Sequence, residues 1–216
     1  MPYRVRGLTV RSENAAKSIT QPNKHVLRWI QQLPQRATVL DFGCGKLRYT
    51  IPIAVRVRDV TAVDSTLQLS RAQMVAGVKT TVKDYVAAHL PNVNTSSVAD
   101  RTWRKRSYDY ILCANVLSAI PNQRTRVRLL RDLKKVLRAT GLLLLVVQFR
   151  NTYFRDFRKN PKAIRHNDGW LVKQGSFASF YGLIAPAQLS KLCRSAGLKI
   201  VAISRQGESA FVWAGK

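Results

Sequence analysis

The chain predicts an α/β fold: one domain over residues 1–216, built on a doubly wound, mostly parallel sheet of seven strands with a C-terminal antiparallel hairpin. Three observations carry this. Short apolar runs alternate with amphipathic stretches from residue 23 to residue 149, the pattern of a parallel sheet with helices on both faces. Residues 141–149 are apolar almost throughout, as in a strand covered on both faces. The last amphipathic stretch is followed by two adjacent extended segments that can pair with each other. Hydrophobic residues make up 46% of the chain, which places it among globular rather than disordered sequences.

The elements follow in order. Residues 1–22 are polar and basic without periodicity, and with the next helix they form an N-terminal extension over 1–33. Val26, Leu27, Trp29 and Ile30 predict an amphipathic helix over 23–33, stopped by Pro34. Residues 37–42 read as a buried strand, Gly43-Cys44-Gly45 as a turn, and the stretch to about Arg56 as a helix. A second strand spans 59–63 and ends at Asp64. A helix over 66–75 and a third strand over 78–82, ending near Asp84, come next. Residues 85–107 read as a short helix and a polar, basic loop from 92 to 107. The fourth strand is 108–114.

Residues 122–139 are the clearest helix. Val127, Leu130, Leu133, Val136 and Leu137 share a face, Arg124, Arg128, Arg131, Lys135 and Arg138 lie largely elsewhere, and Gly141 closes it. The fifth strand is 141–149. Residues 150–185 fit no simple pattern. A helix over 185–196 precedes extended segments at 198–203 and 209–214, joined by a turn at Gln206-Gly207.

Charge is the unusual property. There are 37 Lys+Arg against 11 Asp+Glu, a net charge of +26. Such a surplus must lie on the surface and points to a polyanionic partner, nucleic acid first and an anionic membrane second, with a general basic bias as the plain alternative. The longest clean apolar run, 141–147, is far short of the roughly 20 residues of a membrane helix, so no integral membrane segment is expected. The opening MPYRVRGLTVRSE lacks the apolar stretch of a secretory signal. Cys44, Cys113 and Cys193 lie far apart, and His25, His89 and His166 form no cluster. No metal site or disulfide framework is expected, and a reducing cytoplasm fits.

The turn after the first strand carries the chemistry. In Val39-Leu-Asp41-Phe-Gly43-Cys-Gly45-Lys46 a carboxylate precedes two spaced glycines where the chain leaves a buried strand. Ligands of open α/β sheets bind at the carboxyl ends of strands, and glycine permits a sharp turn and close ligand approach. The pattern favours a nucleoside over an ordinary connection. It is not the NAD fingerprint, because Arg48 stands where a third glycine is required, and it is not a phosphate loop, because Gly45-Lys46 is followed by Leu47. Asp64 ends the second strand, where an acid can accept both ribose hydroxyls. Asp84, at the end of the expected third strand, could accept from an adenine amino group or belong to a helix N-terminus.

VLDFGCGK, TAVDS and YDYILCANVLSAIP together resemble the motif series of class I S-adenosylmethionine-dependent methyltransferases, over about residues 37–150, with the terminal helix and hairpin extending the likeness. The resemblance implies S-adenosylmethionine as cofactor, cradled by Asp41, Gly43, Cys44 and Gly45. Asp64 takes the ribose side, Ser65 beside it also contacts the cofactor, Asp84 takes the adenine side, and Asn115 faces cofactor and acceptor. The chain departs from the pattern in three places. Leu47 replaces a motif glycine. CANVLSAIP is neither the Asn/Asp-Pro-Pro-Tyr/Phe of many amino-group methyltransferases nor a Pro-Cys, so Cys113 reads as a buried strand residue. The His common in small-molecule relatives is missing from residues 117–120. No His or Glu base is evident, the only glutamates being Glu13 and Glu208, which favours a nitrogen acceptor over an unactivated hydroxyl.

Residues 150–185 form a basic and aromatic insertion, a candidate substrate lid at the sheet edge of the cofactor turn. Arg150, Arg155, Arg158, Lys159, Lys162, Arg165 and Lys173 face only Asp156 and Asp168, with Tyr153, Phe154, Phe157 and Trp170 interleaved and Phe177, Phe180 and Tyr181 following. Two readings fit: cations on phosphates with aromatics stacked on bases, or aromatics closing over a small substrate. Arg155, Arg158, Lys159, Trp170 and Tyr181 are the candidate acceptor contacts. Arg101, Arg104, Lys105 and Arg106 form a second basic cluster. Three functions remain open. The first is a methyltransferase for nucleic acid, RNA favoured over DNA. The second is a methyltransferase for a small molecule or protein, and the third a non-catalytic nucleic-acid binder with the same fold.

Overall fold

Fourteen strands and six α-helices order the described residues of the computed structural model, which are 3–15, 22–150 and 156–216. In chain order they begin with β1 (Tyr3–Val5), β2 (Leu8–Val10), α1 (Lys24–Gln31), β3 (Thr38–Phe42), α2 (Thr50–Arg56), β4 (Asp59–Asp64) and α3 (Thr66–Ser70). Next come β5 (Gln73–Val75), β6 (Val78–Thr80), α4 (Val82–His89), β7 (Val93–Ser97), β8 (Tyr108–Ala114), α5 (Gln123–Val136) and β9 (Leu137–Gln148). The last are β10 (Ala163–His166), β11 (Gly169–Gln174), β12 (Phe177–Gly182), α6 (Pro186–Ser195), β13 (Lys199–Gln206) and β14 (Ser209–Gly215).

The doubly wound sheet is present, with seven strands in the order β13-β14-β9-β8-β3-β4-β7. β3 is parallel to β4 (Leu40 opposite Thr61) and to β8 (Leu40 opposite Ile111), and β4 is parallel to β7. Val39, Leu40, Asp41 and Phe42 are all buried, the mark of a central parallel strand. The C-terminal hairpin is also present: β14 is antiparallel to both β9 and β13.

The third parallel strand is not where the sequence placed it. Helix α3 stops at Ser70, and 73–80 is a small antiparallel hairpin, β5–β6, in which Val75 faces Val78. Ala76 (φ +47°) and Gly77 (φ +88°) close it with the doubly left-handed turn that suits a two-residue hairpin. The true third strand is β7, inside the expected loop. Its sequence VNTSS reads as polar because it is a sheet edge and its buried serines are satisfied locally. Gly141 is a second correction. Helix α5 ends at Val136, β9 begins at the next residue, and Gly141 lies inside that strand. A Cβ there would stand 2.9 Å from the Asp109 carbonyl oxygen, so glycine serves close strand approach and not a helix cap.

Residues 3–10 and 163–182 were not legible as strands. They form a second sheet of order β1-β2-β12-β11-β10 around Val10, Leu171, Ala178 and Phe180. Its strands are only three to six residues long, and three of them carry a cation, Arg4, Arg165 and Lys173, which masks their periodicity.

Contacts divide the chain into two compact units. One comprises Met1–Ala15, Cys113–Lys134 and Leu143–Lys216, the other Ala16–Leu112 and Lys135–Leu142. Among the described residues no helix is long and apolar enough to cross a membrane.

Candidate cofactor and acceptor sites

The turn after β3 is built on left-handed backbone: Gly43 at φ +82°, Gly45 at φ +56° and Leu47 at φ +65°. It is tied to the end of β4. The N–H groups of Gly43 and Cys44 both donate to the Val63 carbonyl, at 2.7 and 3.0 Å. Asp64 then accepts from the Gly45 N–H on Oδ2 at 2.8 Å and from the Ser65 N–H on Oδ1 at 2.7 Å. Gly43, Cys44, Gly45, Asp64 and Ser65 are therefore one hydrogen-bonded group. A residue that sequence reasoning passed over completes it: the buried Gln68 donates its side-chain N–H to the Gly45 carbonyl at 2.8 Å. The available signal was Ser65-x-x-Gln68, the spacing of a capping box. Ser65 Oγ does accept from the Gln68 N–H at 3.2 Å.

Asp41 sits behind this turn. It is 2% exposed, and its Oδ2 accepts from Thr50 Oγ1 at 2.6 Å, joining β3 to the first turn of α2. Burial pushes its carboxyl up to about 7; the Thr50 hydroxyl opposes the rise and the Asp64 charge adds to it. Burial likewise lifts the Cys44 thiol well above its ordinary value, with Asp64 and Asp41 adding to the effect, so the thiol stays protonated. Leu47 is fully buried in a conformation that disfavours side chains, and burial of its isobutyl group offsets roughly 1–2 kcal/mol of backbone strain.

Asp84 is not at a sheet strand end. It lies in the first turn of α4, where it accepts from Thr81 Oγ1 at 2.7 Å and its N–H donates back to that oxygen at 3.0 Å. The carboxylate beyond the third parallel strand is Asp100. It accepts from the N–H groups of Ser97 (2.8 Å) and Thr102 (3.1 Å) and from Ser96 Oγ (2.8 Å). Partial burial alone would raise its carboxyl, but these hydrogen bonds outweigh it and hold the group well below the usual carboxylate range.

In the other unit, Asn115 follows β8 with φ +62°, and its N–H donates to the Val146 carbonyl at 2.7 Å. Its Oδ1 is buried without a hydrogen-bond partner, as is Oγ of Ser118 three residues on. Of the insertion residues, Arg155 lies outside the described residues, as do Tyr153 and Phe154. Arg158 and Lys159 are exposed. Trp170 and Tyr181 are half-buried, and both pack on the buried Phe157, at centroid distances of 6.5 and 5.5 Å. Arg165 stands over the Trp170 ring at 5.4 Å. Near β8, Arg101, Arg104 and Lys105 are exposed, whereas Arg106 pairs with Asp59.

A family model described as a methyltransferase domain matches residues 15–203. The chain belongs to the methyltransferase-domain family. Membership makes it an enzyme of methyl transfer rather than a non-catalytic binder. The methyltransferase is 36% identical over 213 residues to the uncharacterized protein YmfD of Escherichia coli (strain K12), across 99% of this chain and 95% of that one. Its fold is shared with the PH0226 protein from Pyrococcus horikoshii OT3, at a TM-score of 0.68 and 14% identity over 93% of this chain and 94% of that one. It is shared also with a DhpI-SAM-HEP complex, at a TM-score of 0.62 and 13% identity over 94% and 92%.

Proposed function

We propose that this methyltransferase takes its methyl group from S-adenosylmethionine and delivers it to a nitrogen atom of a nucleic acid, RNA before DNA. One observation carries the cofactor assignment: Gly45 and Asp64 are hydrogen-bonded to each other at the carboxyl ends of adjacent parallel strands. The donor set fits the group. A carboxylate accepts hydrogen bonds from ribose hydroxyls, and Asp64 stands at the carboxyl end of the parallel strand next to the glycine turn, where such hydroxyls are natural donors. The DhpI structure, a complex with SAM, supports the same cofactor.

Gly43, Cys44 and Gly45 lend backbone to the cradle, Asp41 fixes it from behind, and Asp64 with Ser65 holds the ribose. Asp84 leaves the group, and the turn at Asp100 replaces it on the adenine side. Asn115, with its unpaired buried amide oxygen, serves a ligand at the carboxyl end of β8. S-adenosylmethionine supplies a methyl group already activated on a sulfonium. The chain's residues need only align the acceptor and exclude water, which requires no general base for a nitrogen lone pair.

Exposed Arg158 and Lys159 and the overall charge of +26 support a polyanionic acceptor. Trp170 and Tyr181 pack on Phe157, the residue before Arg158. One observation favours a second reading, a small-molecule acceptor: Phe157, Trp170 and Tyr181 pack on one another, which suits a lid better than a base-stacking platform.

Isotope-labelled S-adenosylmethionine incubated with cellular RNA, DNA, protein and metabolite fractions tests the reading. Label in RNA, released on digestion as an N-methylated nucleoside, is expected. Label confined to metabolites overturns the acceptor, and an O-methylated product overturns the nitrogen assignment. By calorimetry, Asp64→Ala weakens cofactor binding by about 1–3 kcal/mol, while Asp84→Ala leaves it unchanged.

A further inference from the structure

Two helices of one compact unit turn cations to solvent with almost no compensating acid. On α5, Arg124, Arg128 and Arg131 are exposed at four- and three-residue spacing, which aligns them on one face over roughly 10 Å. Arg126, Leu130 and Leu133 are buried on the other side of the helix. On α6, Lys191 and Arg194 are exposed at three-residue spacing. The helices meet where an Arg131 guanidinium N–H donates to the Ser195 carbonyl at 3.1 Å. Lys134 Nζ lies 2.9 Å from where a Cβ on Gly197 would stand. Asp132 is the sole acid of α5, and α6 has none.

The composition of this face selects its partner. Among the described residues the exposed large hydrophobics are Val55, Leu67, Met74, Val78, Val201 and Ile203, and none is on α5 or α6. A protein interface has a charge-depleted core, and a membrane-surface helix needs an apolar side to insert, so neither fits. Of the six exposed cations on the two helices, Arg124, Arg128, Arg131 and Arg194 are arginines, whose planar forks match phosphate oxygens, and Lys135 and Lys191 are the lysines. Neither helix carries an aromatic residue to stack on unpaired bases, which removes single strands. We infer that the α5–α6 face docks the phosphate backbone of a double-stranded nucleic acid. The inference rests on the preceding reading for the class of partner and adds the surface that holds it.

Fluorescence anisotropy with labelled DNA and RNA duplexes of about 20 bp tests it, in wild-type protein and in Arg124→Ala/Arg128→Ala/Lys191→Ala. Arg131 and Lys134 are left in place because they meet the end of α6. Each lost phosphate contact makes the slope of log affinity against log salt shallower by about 0.9, so the wild-type advantage shrinks roughly 40-fold between 50 and 200 mM salt. The melting temperature is expected not to fall below that of the wild type, and S-adenosylmethionine affinity to stay at the wild-type value. The Gln versions of the three substitutions repeat the test if the Ala set melts early. Wild-type affinity and slope in the folded variant overturn the inference, as does capture by phosphatidylserine vesicles without duplex binding. Nucleic-acid methylation with duplex binding unmoved by the variant overturns this surface and spares the acceptor reading. Duplex binding lost in the variant, with label only in metabolites for the wild type, does the reverse.

Discussion

At the residue scale, Asp41 is the group whose ionisation the fold resists. Its carboxyl is 2% exposed and raised to about 7 by burial, with Asp64 adding negative charge nearby. The unfolded value is near 4, so between about pH 4 and 7 the folded state holds a proton that the unfolded state has lost. Stability from this group is therefore full below pH 4 and disappears as pH rises through about 7, on the order of 4 kcal/mol in all. Asp41→Asn keeps an acceptor for the Thr50 hydroxyl and cannot ionise. The variant should melt above the wild type at pH 8, and the gap should close toward pH 4. Thermal unfolding across that range checks it, and a gap that is constant with pH would mean Asp41 is ionised in the native turn.

At the element scale, the polar clamp around Arg126 joins segments distant in sequence. Its guanidinium pairs with both carboxylate oxygens of Asp168, in the turn between β10 and β11, and donates through Nε to the Ile120 carbonyl at 2.8 Å. Gln188 of α6 donates to the same carboxylate at 2.8 Å. Arg126 is 1% exposed, so removing one partner strands a buried charge. Asp168→Asn is expected to cost about 3–5 kcal/mol and Arg126→Met a similar amount, whereas the double variant should cost clearly less than their sum. Denaturant unfolding of the four proteins checks this; simple additivity would rule out coupling. No sequence pattern announced the clamp, since its partners are 42 residues apart and Arg126 reads as one more helix cation. The same limit explains which strands were legible. β3, β4, β8 and β9 lie inside the sheet and read as apolar runs, and the position of the Asp41–Gly45 turn and of Asp64 is legible because they sit at the ends of two of them. β7 escapes because an edge strand tolerates VNTSS, so the sequence ends the third parallel strand near Asp84 whereas the structure ends it at Ser97, three residues before Asp100. Gln68 escaped because a capping spacing describes a helix start and says nothing of the glycine carbonyl its amide reaches.

At the scale of the whole molecule, charge is the dominant property. With 37 basic and 11 acidic side chains, at least 26 cations have no carboxylate of their own even if every acid pairs once. Several of those acids are already committed inside the fold, Asp168 to Arg126, Asp109 to Arg138 and Asp100 to its own turn. The surface therefore repels itself over distances set by the screening length, about 30 Å at 0.01 M salt and 10 Å at 0.1 M. Folding brings those cations closer together than the unfolded chain does, so screening favours the native state more than the unfolded one. The melting temperature should rise as sodium chloride increases from about 10 to 200 mM, opposite to a protein held by surface ion pairs. A flat or falling profile would mean that ion pairs outweigh repulsion despite the imbalance. The Arg124→Ala/Arg128→Ala/Lys191→Ala variant locates the effect. A rise much reduced by three substitutions places the repulsion on the α5–α6 face, where a phosphate backbone would relieve it, and a rise nearly unchanged spreads it over the remaining cations.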